Sequence, residues 1–124
     1  MLANCDVVAL VSATDEARAK EFYGGTLGLT LVERDPYALV FDANGIVFRV
    51  TIMPGHKASE HPVLGWKVPD IVATATGLKQ AGIEMERYSY LTQDDLGIWT
   101  APDGVKKVAF FKDPDGNLLS LAQS

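Results

Sequence analysis

The chain has one cysteine, a shortage of basic residues and no long apolar run, and each shortage excludes a class of protein. A single thiol, Cys5, excludes an internal disulfide and a CxxC metal or redox motif. The 11 Lys and Arg are outnumbered by 16 Asp and Glu, which argues against a nucleic-acid partner because phosphate contacts need clustered cations. No apolar run approaches the roughly 18 residues of a membrane span, and the N-terminus does not resemble a signal peptide. We therefore expect a cytoplasmic protein with no membrane and no nucleic-acid partner.

The remaining composition is that of an ordinary globular domain. Hydrophobic residues make up 48% and charged residues 22% of the 124 positions, which excludes disordered and fibrous proteins and indicates about one domain. The motifs GxGxxG, GxSxG, HExxH and the Walker loop are absent. No ready-made catalytic motif therefore indicates a function.

Helical periodicity occurs twice in the chain. One helix is predicted over 14–27, with Thr14 as its N-cap, and a second over 70–81, with Asp70 as its N-cap. Each is followed by a glycine that can end a helix. The two apolar stripes are Ala19, Phe22, Tyr23, Thr26 and Leu27 in the first helix, and Ile71, Thr74, Ala75 and Leu78 in the second.

Apolar segments bounded by turn residues predict the strands. They lie at 6–12, 29–34, 37–42 and 46–53 in the first half, and at 63–68, 83–88, 97–100, 106–112 and 117–122 in the second. Each half thus has a strand, a helix and then three or more strands, which divides one domain into two modules at about 1–54 and 60–124.

The two halves also match residue by residue near their ends. The turn at 42–45 aligns without a gap with the turn at 113–116, 71 positions later. The helix starts Asp15 and Asp70 lie only 55 positions apart, so the second half has extra residues, which we place near 88–97. Two matched halves suggest a duplication.

Specific residues within this plan resemble a known family. Asp15, the pair Phe22-Tyr23 and Leu27-Gly28-Leu29, followed by the string FFKDPDGN at 110–117, resemble the glyoxalase/bleomycin-resistance/dioxygenase group, the vicinal oxygen chelate superfamily. The resemblance covers essentially the whole chain. It implies an α+β fold in which two βαβββ modules form a cup-shaped mixed sheet with the helices outside, and it implies a homodimer.

The resemblance also implies four positions for a divalent metal, which members of the superfamily hold with His, Gln or Glu. In this chain the positions are Val8, Arg49, Val63 and Ser120, with Val7 as the alternative if the first strand has an insertion or deletion. Valine has no donor atom, a guanidinium repels a cation, and a lone serine hydroxyl is a weak ligand. His61, two residues before Val63, is interpreted as a partly exposed residue at a strand end. We therefore predict no metal and no cofactor.

Strand alternation indicates which side chains line the cup. If Arg49 faces it, so do Val47 and Thr51. An arginine there needs a partner, either a carboxylate of the protein or an anionic group of a ligand. The predicted ligand-binding residues are Arg49, Ser120, His61, Val47, Thr51, Trp99 and Tyr37.

The leading hypothesis is a protein that binds a small organic molecule in the cup without a metal. The alternative is a lyase, isomerase or dioxygenase-like enzyme, for which His61, Glu84, Glu86 or the pair Asp94-Asp95 are the acid–base candidates. A third possibility is a dimeric module whose cup is filled by its own side chains. The acidic balance favours a cationic ligand and Arg49 an anionic one, so the ligand stays open.

Overall fold

Two four-stranded mixed sheets make up the fold, and each belongs to its own unit of the chain. A computed structural model describes all residues, 1–124, and divides them into unit 1, Met1–Lys57, and unit 2, Ala58–Ser124. Each unit contains one sheet and one helical segment packed on it. The predicted α+β class is therefore confirmed. No helix is both long enough and apolar enough to span a bilayer.

Both units follow the predicted order of a strand, a helix and three strands. Unit 1 consists of β1 (Val8–Ala13), α1 (Glu16–Lys20), β2 (Thr30–Arg34), β3 (Ala38–Ala43) and β4 (Ile46–Ile52). Unit 2 consists of β5 (Leu64–Lys67), α2 (Ile71–Gln80), β6 (Trp99–Thr100), β7 (Lys107–Lys112) and β8 (Leu118–Gln123). The spatial orders are β1-β4-β3-β2 and β5-β8-β7-β6. In each sheet the first and last strands pair in parallel and the other pairs are antiparallel.

The first helix differs from the prediction at both ends. It begins after Asp15, whose carboxylate accepts a hydrogen bond from the Arg18 N–H at 3.0 Å, so Thr14 as N-cap is wrong. After Lys20 the α-helix widens into a π-helix, Glu21–Thr26. The wider turn leaves Thr26 exposed, although the α-helical stripe had placed it on the buried face.

The second helix agrees with its prediction. Asp70 caps it by accepting a hydrogen bond from the Ala73 N–H at 3.1 Å. Ile71, Ala75 and Leu78 are buried, as the stripe requires, and Thr74 is half-buried. Periodicity was sufficient to predict this helix, because the helix has neither a wide turn nor adjacent glycines in its interior.

The predicted strand at 83–88 is wrong. Its one backbone bond to the sheet runs from the Glu86 N–H to the Phe110 carbonyl, at 2.7 Å. The side-chain amide of Gln93 takes the place of a neighbouring strand: it donates to the Glu86 carbonyl at 3.0 Å and accepts from the Tyr88 N–H at 2.8 Å. The segment 81–98 is thus a loop pinned by a side chain, which carries the extra residues of the second half.

One face of each sheet is covered by its helix. In unit 1 the buried Tyr23 packs edge-on against Phe48, with ring centroids 5.1 Å apart, and also contacts Phe41. In unit 2, α2 contacts β7 and β8, where Phe111 and Leu119 are fully buried. The opposite face of each sheet we call its helix-free face.

Candidate functional site

The helix-free face of unit 1 has the residues that alternation predicted. Val47 is 46% exposed, and Arg49 and Thr51 are half-buried, whereas the intervening Phe48 and Val50 are 0% exposed. The parity of β4 is therefore confirmed, because only one set of alternate residues can pack on the helix.

Arg49 on this face has a partner within the protein. Its Nη2 donates to Oδ2 of Asp35 at 2.8 Å, and Oδ1 of Asp35 accepts the N–H groups of Tyr37 and Ala38, also at 2.8 Å. The Tyr37 N–H and the Arg49 guanidinium hold the pKa of the Asp35 carboxyl below its ordinary value. Two partners were predicted for Arg49, a carboxylate of the protein or an anionic group of a ligand. The structure contains the carboxylate. The Tyr37 ring is 72% exposed, so this residue contributes its backbone to the ion pair.

We expect Asp35→Asn to lower the free energy of unfolding by an amount that depends on pH. Because the folded state lowers the pKa of Asp35, its carboxylate stabilises the fold at pH values above the ordinary carboxyl pKa, and this stabilisation is lost as the pH falls through the folded pKa. Asparagine keeps an oxygen for the two N–H groups, but it removes the charge and replaces Oδ2, which accepts from Arg49, with an NH2 donor. Urea midpoints should therefore be lower than in the wild type at neutral pH and converge with it as the pH falls below the lowered pKa of Asp35. An offset that is the same at every pH would contradict the assignment.

The helix-free face of unit 2 brings together two of the predicted residues and one that was not predicted. Ser120 pairs with Phe110 on β7 and with Gly65 on β5. A Cβ at Gly65 would collide with the Ser120 hydroxyl, so the glycine leaves room for it. Trp99 pairs with Val108, which has the same parity as Phe110. Ser120, Phe110 and Trp99 therefore lie on one face, and all three are half-buried.

A pocket of about 390 Å³ opens on this face within unit 2. We call it the Tyr88 pocket. Its lining includes Ala58, Ser59, Glu60, Glu86, Tyr88, Lys112 and Leu118. Lys112 and Leu118 form a cross-strand pair of β7 and β8, with the same parity as Phe110 and Ser120. The pocket therefore lies on the same face of the sheet as the predicted Ser120 position.

The pocket combines an ion pair with an aromatic wall. Lys112 Nζ lies 3.3 Å from Glu86 Oε1. The Tyr88 ring packs edge-on against Phe110, with centroids 5.7 Å apart, and lies 5.5 Å from the Tyr90 ring. Burial raises the pKa of the Tyr88 phenol, and the negative charge of Glu86 adds to the effect. At neutral pH the phenol is therefore protonated and can donate a hydrogen bond.

His61 lies outside the strand on which its interpretation depended. β5 begins at Leu64, so the alternation that aligned His61 with Val63 does not apply. The side chain is exposed, and the backbone N–H of His61 donates to Ser59 Oγ at 3.0 Å. The predicted residues thus fall into two sets, one in each unit: Arg49, Val47, Thr51 and Tyr37 in unit 1, and Ser120, Trp99 and His61 in unit 2.

The donor set at the positions implied for a divalent metal does not fit one. Val8 pairs with Val47 in the parallel ladder of unit 1, and neither side chain has a donor atom. Arg49 carries a fixed positive charge that Asp35 already engages. Ser120 offers a single hydroxyl. No group of three or more His, Cys, Asp or Glu is placed to hold a metal ion.

Comparison with known proteins gives the family. The model of the Glyoxalase/Bleomycin resistance protein/Dioxygenase superfamily matches residues 6–121. A glyoxalase family protein from Enterococcus faecalis is 25% identical, with a TM-score of 0.75, and the match covers 98% of this chain and 99% of that one.

Two structures of lower identity have the same fold. The fosfomycin resistance protein FosX from Listeria monocytogenes is 12% identical, with a TM-score of 0.74 over 95% of this chain and 91% of that one. Lactoylglutathione lyase from Agrobacterium tumefaciens is 17% identical, with a TM-score of 0.74 over 98% and 94%. No curated protein matches the chain. Because the family model spans almost every element of both units, the chain belongs to the glyoxalase/bleomycin resistance protein/dioxygenase superfamily.

Proposed function

We propose that this protein binds a small organic molecule in the Tyr88 pocket, without a divalent metal. The observation that carries the proposal is the pocket itself. Its volume of about 390 Å³ falls in the range of ~300–1,000 Å³ that small-molecule sites occupy. Leu118 and the Tyr88 ring supply apolar surface, and Glu86 and Lys112 supply polar points. Such a lining suits a molecule with a flat apolar body and one or two polar groups.

Binding without chemistry is favoured by what the pocket lacks. A protonated Tyr88 is a hydrogen-bond donor and a poor base at neutral pH. The Glu86 carboxylate is engaged by Lys112. The positions implied for a metal supply no usable donor set, so these side chains do not support Lewis-acid chemistry.

The homodimer and the cytoplasmic location stay predictions.

An enzyme is the second candidate, and Glu86 is the observation that favours it. Its side chain is 30% exposed and lies in a pocket beside a phenol and an ammonium group. Those three groups could serve as base, acid and charge stabiliser for a lyase or isomerase. The relatives include both a resistance protein and a lyase by name, so the fold accommodates either activity. Turnover of a bound molecule that is lost in Glu86→Gln, with binding retained, would establish the enzyme.

A thermal-shift screen of small metabolites and antibiotics tests the proposal. A ligand at ~100 times its Kd should add ~2.7 kcal/mol to the free energy of unfolding. Zn²⁺, Ni²⁺, Mn²⁺ and Fe²⁺ should leave the melting temperature unchanged. Ala58→Trp, which fills the pocket from its rim, should weaken binding of the best ligand at least tenfold.

The control for that variant is Ala17→Trp, an exposed site on α1 in unit 1. It adds the same ring outside the pocket and should leave binding unchanged. If Ala58→Trp binds the ligand as tightly as the wild type does, the pocket is not the site.

A further inference from the structure

The charges around the Tyr88 pocket are unequal. Glu60 and Glu86 bring two carboxylates, and Lys112 brings one ammonium group. The ammonium lies 3.3 Å from Glu86, so its charge is already matched by that carboxylate. Glu60 makes no ion pair and is left as an excess negative charge at the rim. The pocket therefore has a net charge of about −1 before a ligand enters.

The feature of the sequence that favoured an anionic ligand is answered within the protein. Arg49 is held by Asp35 at 2.8 Å, so its guanidinium does not need a carboxylate or phosphate from outside. The net charge of the chain, −5, adds a long-range attraction for cations and a repulsion for anions. Of the two electrostatic indications that conflicted in the sequence, only the acidic balance, which favours a cation, remains.

The aromatic side chains beside the pocket also favour a cationic ligand. Tyr90 is 79% exposed, and its ring centroid is 5.5 Å from that of Tyr88. The face of a tyrosine ring carries negative potential and attracts ammonium and guanidinium groups within about 6 Å of its centroid. A large aromatic group exposed next to a pocket also provides a surface on which a second ring can stack.

From these observations we infer that the ligand of the Tyr88 pocket is an organic cation, an amine or guanidine attached to an apolar or aromatic body. The inference rests on the proposed function and specifies the class of molecule that the pocket takes. Glu60, the carboxylate that Lys112 does not match, would meet the positive group, the tyrosine rings would meet its flank, and Leu118 would contact the apolar body.

Three probes of similar size and different charge test the class directly: 2-phenylethylammonium, 2-phenylethanol and phenylacetate. Each is titrated into the 124-residue protein, and the backbone amides of the pocket are followed by NMR. The ammonium probe should bind at least ten times more tightly than the alcohol, and phenylacetate more weakly than the alcohol. Added salt should narrow the difference, because the pocket rim is exposed to solvent.

Matched substitutions test which carboxylates cause the preference for the ammonium probe. Glu60→Gln removes the excess carboxylate, and Glu86→Gln leaves the Lys112 ammonium unmatched, so each should weaken the ammonium probe three- to tenfold and leave the alcohol unchanged. Glu84→Gln removes the same charge two residues from Glu86, at a side chain outside this pocket's lining, and should change none of the three affinities.

The outcomes separate the two proposals. Equal affinities for the three probes, or tightest binding of phenylacetate, would overturn the cationic ligand and leave the pocket as a binding site. Absence of shifts at the pocket amides with all three probes would likewise overturn it, provided that Ala58→Trp still weakens a ligand found by the screen. If Ala58→Trp has no effect on that ligand, the proposed function itself fails.

Discussion

Asp113→Ala is expected to lower the free energy of unfolding by about 3–5 kcal/mol, whereas Asp42→Ala should cost about 1 kcal/mol. The two residues occupy the same position in the matched turns of the two units. Asp113 is 5% exposed, and its carboxylate accepts the N–H groups of Asp115 and Asn117 at 2.9 Å and the Asn117 side-chain amide at 2.7 Å. Asn117 is itself 2% exposed, so the substitution leaves buried donors without this acceptor. Asp42 is exposed and accepts the Gly45 N–H at 3.0 Å.

Urea denaturation of the two variants measures the difference, with the slope of the transition checked against the wild type. Asp113→Asn is the informative intermediate, because it keeps an oxygen for the backbone but lacks the charge. It should cost less than Asp113→Ala. Equal losses for Asp42→Ala and Asp113→Ala would mean that burial does not distinguish the two turns.

The sequence predicted those parts of the fold that depend on repetition. The second helix and the alternation of β4 follow from periods that the chain obeys over many residues. The first helix was predicted less accurately at its C-terminal end. There the helix widens, and Gly24 and Gly25 have no side chains that could show the change of period. A local change of period of this kind has no signature in an apolar stripe that covers only two turns.

The partner of Arg49 could be named as a class but not as a residue. Asp35 lies 14 positions away, in a turn between two strands, where direction depends on the turn conformation and not on alternation. The Tyr88 pocket was missed for a related reason. Its wall comes from the segment 81–98, where Gln93 replaces strand pairing with side-chain hydrogen bonds. Tyr88 is the last residue of the strand predicted at 83–88, and that strand does not form.

Gly97→Ala should strongly destabilise that segment. The residue has φ +83°, and an added Cβ would lie 2.5 Å from the Met85 Cβ. The left-handed backbone costs an alanine ~1–2 kcal/mol, and overpacking adds ~1–3 kcal/mol. We therefore expect a loss of about 3 kcal/mol in the free energy of unfolding. Gly104→Ala, with φ +73° and open space around its Cβ, should show only the backbone part.

The same substitution should also weaken ligand binding. The Gly97 carbonyl accepts a hydrogen bond from the Gln93 side chain at 2.9 Å, and that side chain also holds the Tyr88 N–H. Displacing Gly97 from Met85 therefore moves the group that positions Tyr88 at the pocket. Gly97→Ala should lower the affinity for the best ligand at least tenfold at a temperature where the variant remains folded, and Gly104→Ala should leave it unchanged. If both variants bind as the wild type does, the hydrogen bonds of Gln93 do not position the pocket wall, and Tyr88 is held by its ring contacts with Phe110 and Tyr90.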